Sequence, residues 1–320
     1  MYYIKIDTHK FNVKKEISVL NSQFRIIDGV ILIDKPYGFS SNNVVQKVKK
    51  ILKIKKIGHT GSLDPLATGM LPICCGKATK FSQFLIDADK QYHVIAKLGQ
   101  KTSTSDSEGK IIKVRPINFT DLELIKTLKK FQGRIKQIPS MYSAIKYRGR
   151  ALYKYARKGI SVFRKSRNVV IHKLQLLGYT NKFLELDVVC SKGTYIRTLI
   201  EDIGENLKCG AHVTSLRRLR IGCHSYVKMI DIKVLHELEK VNINLVQNIL
   251  ISINDSISFF SEINLVLKTI LFLKNKKKII INNNLQNQFV RITEGKERRF
   301  WGIGRINNKN ELFSYCWLRN

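Results

Sequence analysis

The sequence predicts a mixed α+β chain split between a larger domain and a small C-terminal one. Three observations predict it. Short apolar runs closed by Gly, Pro and Ser turns alternate with amphipathic segments from about residue 28 to 250. Beyond about residue 250 the pattern changes to brief apolar stretches separated by Asn, Lys and Gly, such as "QFVRITEG" and "RFWGIGRI", as expected of a small all-β module. The full length, 320 residues, exceeds what one hydrophobic core organises, because cores stop growing near ~250–300 residues. The expected division is an extension at 1–27, a large domain over 28–250 and a small one over 251–320, with the boundary inside 245–260.

In chain order, the first 27 residues show no sustained period and read as a loosely held extension. "GVILIDKPYGFSSN" reads as a buried strand over Val30–Ile33 closed by a Lys-Pro-x-Gly turn, with Ser40 or Ser41 placed to cap the helix "NNVVQKVKKIL". The turn-rich "GHTGSLDPLATG" follows. Spacing leaves two readings of its Asp64: an N-cap with Pro65 at the first position of a short helix "PLATGMLPI", or a carboxylate in a Gly-punctuated loop that a ligand can approach closely.

"KQYHVIAKLGQ" reads as a strand, and the polar turn "KTSTSDSEGK" leads to a partner strand "IIKV", an antiparallel hairpin with a long loop. Thr120 and Glu123 have capping-box spacing and Leu122, Ile125 and Leu128 recur at helical intervals, so a helix is expected over 121–132. "IPSMYSAIKYRGRALYKYARKG" mixes aromatics with Lys and Arg and lacks a period until Leu152, as in a surface excursion ending in a short helix. "FLELDVVC" points Leu184, Leu186, Val188 and Cys190 to one face; "SKG" then turns the chain into a helix carrying Ile196, Leu199, Ile200, Ile203 and Leu207. Tyr195 and Arg197 fall at that strand-to-helix junction.

Composition narrows the partners. With 57 Lys+Arg against 24 Asp+Glu, the formal charge is +33, which favours a polyanion through phosphate neutralisation and counterion release. Part of that charge is compositional, as the Lys- and Asn-rich "KKIIINNNLQNQ" shows. The six cysteines form no C-x-x-C pair and have no His at zinc spacing, which argues against a structural metal. Residues 1–26 hold no apolar signal-peptide run and the longest apolar stretch near the C-terminus is broken by Lys268, so a soluble, cytoplasmic, reduced protein is expected. "LPICCGKAT" has Leu71 and Ala78 where a phosphate-binding loop needs Gly and Ser or Thr, "WGIGRIN" lacks a third Gly, and Ser62 lacks the G-x-S-x-G elbow.

"GHTGSLDPLATGMLP" after "GVILIDKPYGFSSN", followed in order by "KATKFSQFLIDADKQYHVIAKLGQKTSTSDSEG", "IPSMYSAIKYRGRALYKYARKGI", "CSKGTYIRTLIEDIGENLKCGAHVTSLRRLRIG" and "VRITEGKERRFWGIGRI", resembles the TruB family of tRNA pseudouridine synthases. The likeness is strong over 28–232, faint over 240–285, and returns at 290–306. It implies a mostly antiparallel central sheet, an RNA-gripping insertion at 137–165 and a C-terminal PUA-like β-barrel against the acceptor stem. It also implies a monomer without cofactor or metal that converts uridine 55 (tRNA numbering) in the T-loop. Residue by residue, Asp64 is the implied nucleophile, its point of attack left open, and Arg197 the arginine that keeps it ionised. Tyr92 is the tyrosine stacked on the target uracil, Tyr195 a second pocket tyrosine, Leu216 an apolar wall, and His59 the histidine against the flipped loop nucleotides. Lys146, Arg148, Arg150, Arg217, Arg218 and Arg220 lie in blocks that face RNA and are implied as a group to meet phosphates. Residues 250–290 depart from the family pattern. Two other readings stay open: a non-catalytic tRNA-binding or folding module on the same scaffold, and a relative that acts on other RNA through guide complexes.

If those cations form the contact face, log affinity for tRNA falls linearly with log salt. About six phosphate contacts would cost roughly 10³-fold between ~50 and ~200 mM salt. Filter binding across that range checks it, and a flat response rejects the face.

Overall fold

The computed structural model describes residues 25–282 and 285–318, so most of the expected extension, 1–24, lies outside the described residues. Its last residues are already tied down: Arg25 bridges the backbone of Ile54 and pairs with Glu239 at 2.8 Å, and Ile27 is buried. β1 (Gly29–Lys35) is apolar on both faces. Ile31 and Ile33 pack on the helix side, whereas Val30 and Leu32 face the cluster that holds Phe81 and Ile303. α1 (Ser41–Leu52) starts at Ser40, whose hydroxyl accepts from the Asn43 N–H at 3.1 Å, and turns Val44, Val45 and Val48 inward.

β2 (Ile57–His59) and β3 (Thr68–Cys75) bracket the Asp64 loop. The short helix considered for "PLATGMLPI" does not form. From Thr68 on, the chain is the strand antiparallel to β1, with Met70–Cys75 buried; a fully buried apolar run between two strands is better satisfied by ladder hydrogen bonds than by one isolated turn.

A 3₁₀ turn over Gly76–Phe81 leads into α2 (Ser82–Asp87) and then β4 (Lys90–Leu98), whose alternating burial fits a strand with one face inward. Gly99, at φ +81°, turns the chain out of that strand. The hairpin therefore forms as a separate ribbon between β5 (Gln100–Thr102) and β6 (Ile111–Val114), while β4 pairs with other strands. α3 (Asp121–Lys130) carries the complete capping box, but its buried side is Leu124, Thr127 and Leu128; Leu122 and Ile125 face solvent.

β7 (Gly133–Gln137) is followed by the excursion, a tight hairpin of β8 (Lys146–Tyr147) and β9 (Arg150–Ala151) ending in α4 (Leu152–Ala156). β10 (Arg167–Tyr179), β11 (Phe183–Cys190), α5 (Ile196–Asn206), β12 (Ala211–Ile221) and β13 (His224–Ser225) complete the large unit. The central sheet runs β1-β3-β12-β4-β11-β10-β7, with β2 on β3 and β13 on β12; only the β12–β3 pair is parallel. This is the expected α+β architecture around a mostly antiparallel sheet.

α6 (Ile232–Val241), α7 (Ile243–Gln247) and α8 (Ile253–Ser256) cover β1 and lead to the C-terminal unit. There β14 (Ser261–Leu265), α9 (Leu267–Lys274), β15 (Ile279–Ile280), β16 (Phe289–Glu294), β17 (Arg299–Ile306) and β18 (Glu311–Trp317) form an open, PUA-like half-barrel in the order β14-β16-β17-β18-β15. The unit is not all-β: α9 buries Ile270 and Leu273 against Val290, Ile292, Ile306 and Leu312. "LKTILFLK" is apolar nearly all round, which hides its period.

Aromatic rings join the two units. Phe84 of α2 stands 5.3 Å from both Phe260 and Phe289, and Phe81 5.7 Å from Phe300. Phe84→Ala is expected to cost about 3–5 kcal/mol, the usual penalty for emptying a buried aromatic site. Chemical denaturation would show it, and a loss under ~1 kcal/mol would mean that these rings do not hold the C-terminal unit in place.

Candidate active site

The Asp64 loop is held from four directions. Ser41, the serine that does not cap α1, accepts from the Leu63 N–H at 2.7 Å and donates to the Leu63 carbonyl at 3.0 Å. Lys35, wholly buried, donates to the carbonyls of Pro36 (2.9 Å), Phe39 (2.5 Å) and Pro65 (3.2 Å). Burial, opposed by the Asp64 charge, lowers its pKa to about 8. The Gly38 N–H reaches the same Pro65 carbonyl at 2.9 Å. Arg218 donates to the carbonyls of Gly61 (3.0 Å) and Met70 (2.7 Å). Glycine at 69, φ +94°, is required because a Cβ there would stand 2.3 Å from the Arg218 carbonyl oxygen.

That frame leaves the Asp64 side chain pointing away from its own loop. Its Oδ1 accepts from Arg197 Nη2 at 3.1 Å, and Oδ2 lies 2.9 Å from Arg197 Nε in ion-pair contact without hydrogen-bond alignment. Arg197 is 4 % exposed and Asp64 37 %, so the guanidinium is sealed while the carboxylate opens outward. Arg197 Nη1 also meets Asp106 Oδ2 at 3.2 Å and the Thr104 carbonyl at 3.0 Å, and Nη2 meets the Tyr142 carbonyl at 2.9 Å. Asp106, 2 % exposed, is fixed in turn by the Thr104 hydroxyl and the Glu108 N–H.

One buried cation thus serves two carboxylates. Burial pushes the Asp64 carboxyl above the usual carboxylate range; Arg197 opposes this, Asp106 adds to it and Lys35 opposes it weakly. The ion pair matches the sequence expectation, and the upward displacement does not. The chemistry on offer is a carboxylate at an opening, aimed by a fixed guanidinium.

Tyr195 precedes α5, where Gln137 clamps it by accepting from its N–H at 3.1 Å and donating to its carbonyl at 3.3 Å. The Arg167 guanidinium lies over its ring at 4.7 Å. Tyr92 and Leu216 lie with Leu63 and Leu66 in the core cluster beneath the loop, with Tyr92 only 8 % exposed. Burial raises the Tyr92 pKa, and Arg218 is its hydrogen-bonding neighbour. His59 is half-buried on β2 with Nδ1 unpartnered, and burial, then the Arg218 charge, hold the ring below its ordinary pKa.

The expected phosphate-binding group divides. Lys146, Arg148 and Arg150 are exposed on the β8–β9 hairpin, with Arg148 at φ +47° over the Tyr147 ring. Arg218 is a correction: it is 1 % exposed with its donors turned to the Gly61 and Met70 carbonyls under the Asp64 loop and to Tyr92. Arg217 keeps 37 % of its side chain exposed and makes a bidentate pair with Asp34, at 2.6 and 3.0 Å. Arg220 is occupied by Gln91 and the Gly222 carbonyl. Strand alternation puts Arg217 and Arg218 on opposite faces of β12, and the register against β3 and β4 sends Arg218 alone under the Asp64 loop, which a run of arginines in sequence does not reveal. Asp106, Gln137 and Lys35 escaped the reading of single residues. "TSTSDSEG" and "DKP" carried the only signal, as quoted blocks without assigned roles.

Comparison with known proteins points to one family. Residues 49–196 match the family profile described as TruB family pseudouridylate synthase (N terminal domain), 197–250 that of the tRNA pseudouridylate synthase B C-terminal domain, and 261–315 that of pseudouridine synthase II TruB, C-terminal. The tRNA pseudouridine synthase B of Buchnera aphidicola subsp. Baizongia pistaciae is 66 % identical over 296 residues, 92 % of this chain and 98 % of the relative. That of Serratia proteamaculans is 47 % identical over 289 residues, 88 % and 92 % of the two chains. Among solved structures, a Cbf5-Nop10-Gar1 complex gives TM-score 0.72 at 23 % identity, covering 91 % of this chain and 84 % of that one. An H/ACA RNP bound to a substrate RNA containing 2'-deoxyuridine gives 0.68 at 21 %, covering 93 % and 86 %. At those identities the two structures establish the fold.

Ser41→Ala strips both backbone partners from Leu63 and is expected to destabilise by about 1–3 kcal/mol, the cost of leaving buried polar groups unpaired. Hydrogen exchange at the Leu63 amide should quicken in step; an unchanged exchange rate would show that the loop does not depend on this hydroxyl.

Proposed function

The chain belongs to the TruB family of pseudouridylate synthases, and on that premise we propose that it isomerises uridine to pseudouridine at position 55 (tRNA numbering) in the T-loop of tRNA. The observation that carries the proposal is the outward-facing Asp64 carboxylate forked by the sealed Arg197 guanidinium. In this reading Asp64 starts cleavage of the N-glycosidic bond, the freed base turns, and the ribose carbon is rejoined to carbon 5. Arg197, held by Asp106, Thr104 and Tyr142, aims the carboxylate and favours its charged form.

The uridine must first leave its stack, which costs a few kcal/mol. Tyr92 and Leu216 supply the apolar floor and Tyr195 a second ring at the mouth, while His59, neutral and half-buried, lies against the displaced loop nucleotides. Residues 28–250 form the catalytic domain with 137–165 as its RNA-gripping insertion, 251–320 the PUA-like RNA-binding domain, and 1–27 an extension. Lys146 and Arg148 meet phosphate there. A groove of about 790 Å³ on the C-terminal half-barrel, lined by Lys276, Lys278, Arg305 and Tyr315, offers cations to the acceptor stem. A cytoplasmic monomer working without cofactor or metal completes the reading.

Unmodified tRNA incubated with the protein should gain pseudouridine at one site, mapped chemically, and Asp64→Asn should abolish it; product from that variant rejects the assignment. The reaction needs ionised Asp64, and its folded-state pKa is raised, so activity is lost as pH falls through a value above the ~3.9 of a free aspartate. Arg197→Lys, which loses the fork, should move that acid limb of kcat/KM further upward; a limb at the free-aspartate value in both proteins would contradict the role given to Arg197.

A further inference from the structure

Phe163 is 91 % exposed, more than any other large apolar side chain among the described residues. A lone exposed apolar residue needs no explanation in itself. This one directly precedes a stretch pinned at two points. Arg164 donates to the Pro139 carbonyl at 2.9 Å, and Arg167 donates to the Gly193 carbonyl while lying over the Tyr195 ring. The strand before Pro139 carries Gln137, which clamps Tyr195, and the segment after it carries the Tyr142 carbonyl that receives Arg197. The segment that carries Phe163 is therefore anchored to the wall of the Asp64 site.

Its surroundings are cationic. Among the described residues neither Arg164 nor Arg167 pairs with a carboxylate, and the Nε of each is buried without a hydrogen-bond partner. Arg157, Lys158 and Lys165 are near in sequence and exposed, and Ile138, 54 % exposed, adds apolar surface next to Pro139. A bare ring next to carboxylate-free guanidiniums suits a partner that offers anionic groups and flat apolar faces together, as a single-stranded nucleic acid does.

We infer that Phe163 is a stacking platform for an unpaired nucleobase of the RNA substrate, other than the uridine on which Asp64 acts. The inference rests on the RNA reading above and deepens it by naming a second base contact. Phosphates on either side of that base meet Arg164 and Arg167, and the anchored segment presents the ring with little further loss of freedom.

Pseudouridine formation by the unaltered protein on unmodified tRNA is measured first, so that failure of the general reading is seen separately. Affinity for a T-arm stem-loop RNA is then compared for Phe163→Ala, Phe163→Leu and Phe163→Trp in the full chain. An exposed position leaves folding intact, which equal melting temperatures would verify. Loss of one base–aromatic stack corresponds to about ten-fold weaker binding. The alanine and leucine variants should show that loss, with kcat/KM falling in step. The tryptophan variant should bind within about two-fold of the unaltered chain. Its emission, after subtraction of the Trp301 and Trp317 signal, should be quenched by the stem-loop and not by a blunt RNA duplex of equal length. Alanine binding within about two-fold overturns the inference. So does quenching by the duplex, which marks phosphate contact alone, and so does leucine restoring full affinity, which marks an apolar cover without stacking.

Discussion

A guanidinium removed from water must find anions or carbonyl oxygens, and Arg197 finds them on three separate stretches of chain. Asp64 comes from the loop between β2 and β3, Asp106 with the Thr104 carbonyl from the β5–β6 ribbon, and the Tyr142 carbonyl from the excursion after β7. Desolvating such a charge costs several kcal/mol unless its donors are met. The loop, the ribbon and the excursion are therefore bound to one geometry, and the carboxylate that keeps an open side is Asp64. The second acid has a double effect: it steadies Arg197, and by sharing the cation it leaves Asp64 less fully compensated, in the same direction as burial. Asp64 is thus a carboxylate aimed by a fixed cation yet displaced toward its neutral form.

The same economy of cations explains why net charge is a poor map of the contact face. Arg218 and Lys35 look like members of a basic surface in sequence, yet both are buried and hold the backbone of the Asp64 loop. Arg217, half-exposed, pairs with Asp34. On the β8–β9 hairpin, by contrast, Lys146, Arg148 and Arg150 are exposed, with Arg148 over the Tyr147 ring. Charge in the interior sets the loop, so the net charge overstates what the surface carries.

The C-terminal half-barrel is joined to the catalytic sheet through Phe81, Phe84, Phe260, Phe289 and Phe300, which share one cluster with Val30 and Leu32 of β1. β1 is thus packed from both sides, by helices on one and by this cluster on the other. The placement of the basic groove relative to the Asp64 mouth depends on that aromatic packing and not on the chain connection alone.

Local signals were legible in the sequence: the Ser40 cap, the Thr120 and Glu123 box, the inward alternation of "FLELDVVC" and the strand-to-helix junction at Tyr195 are each set by neighbours within a few residues. Motif order also led from Asp64 to Arg197 before any coordinates. Tertiary structure alone decided that Asp64 lies in a loop and not at a helix start, that Arg218 turns inward, that α3 buries Leu124 where Leu122 was expected, and that Asp106 shares the guanidinium. Those outcomes turn on strand register and on partners far along the chain. Periodicity read along a chain carries the face of a residue within its own element, and holds no information on which distant carboxylate or carbonyl will occupy its charge.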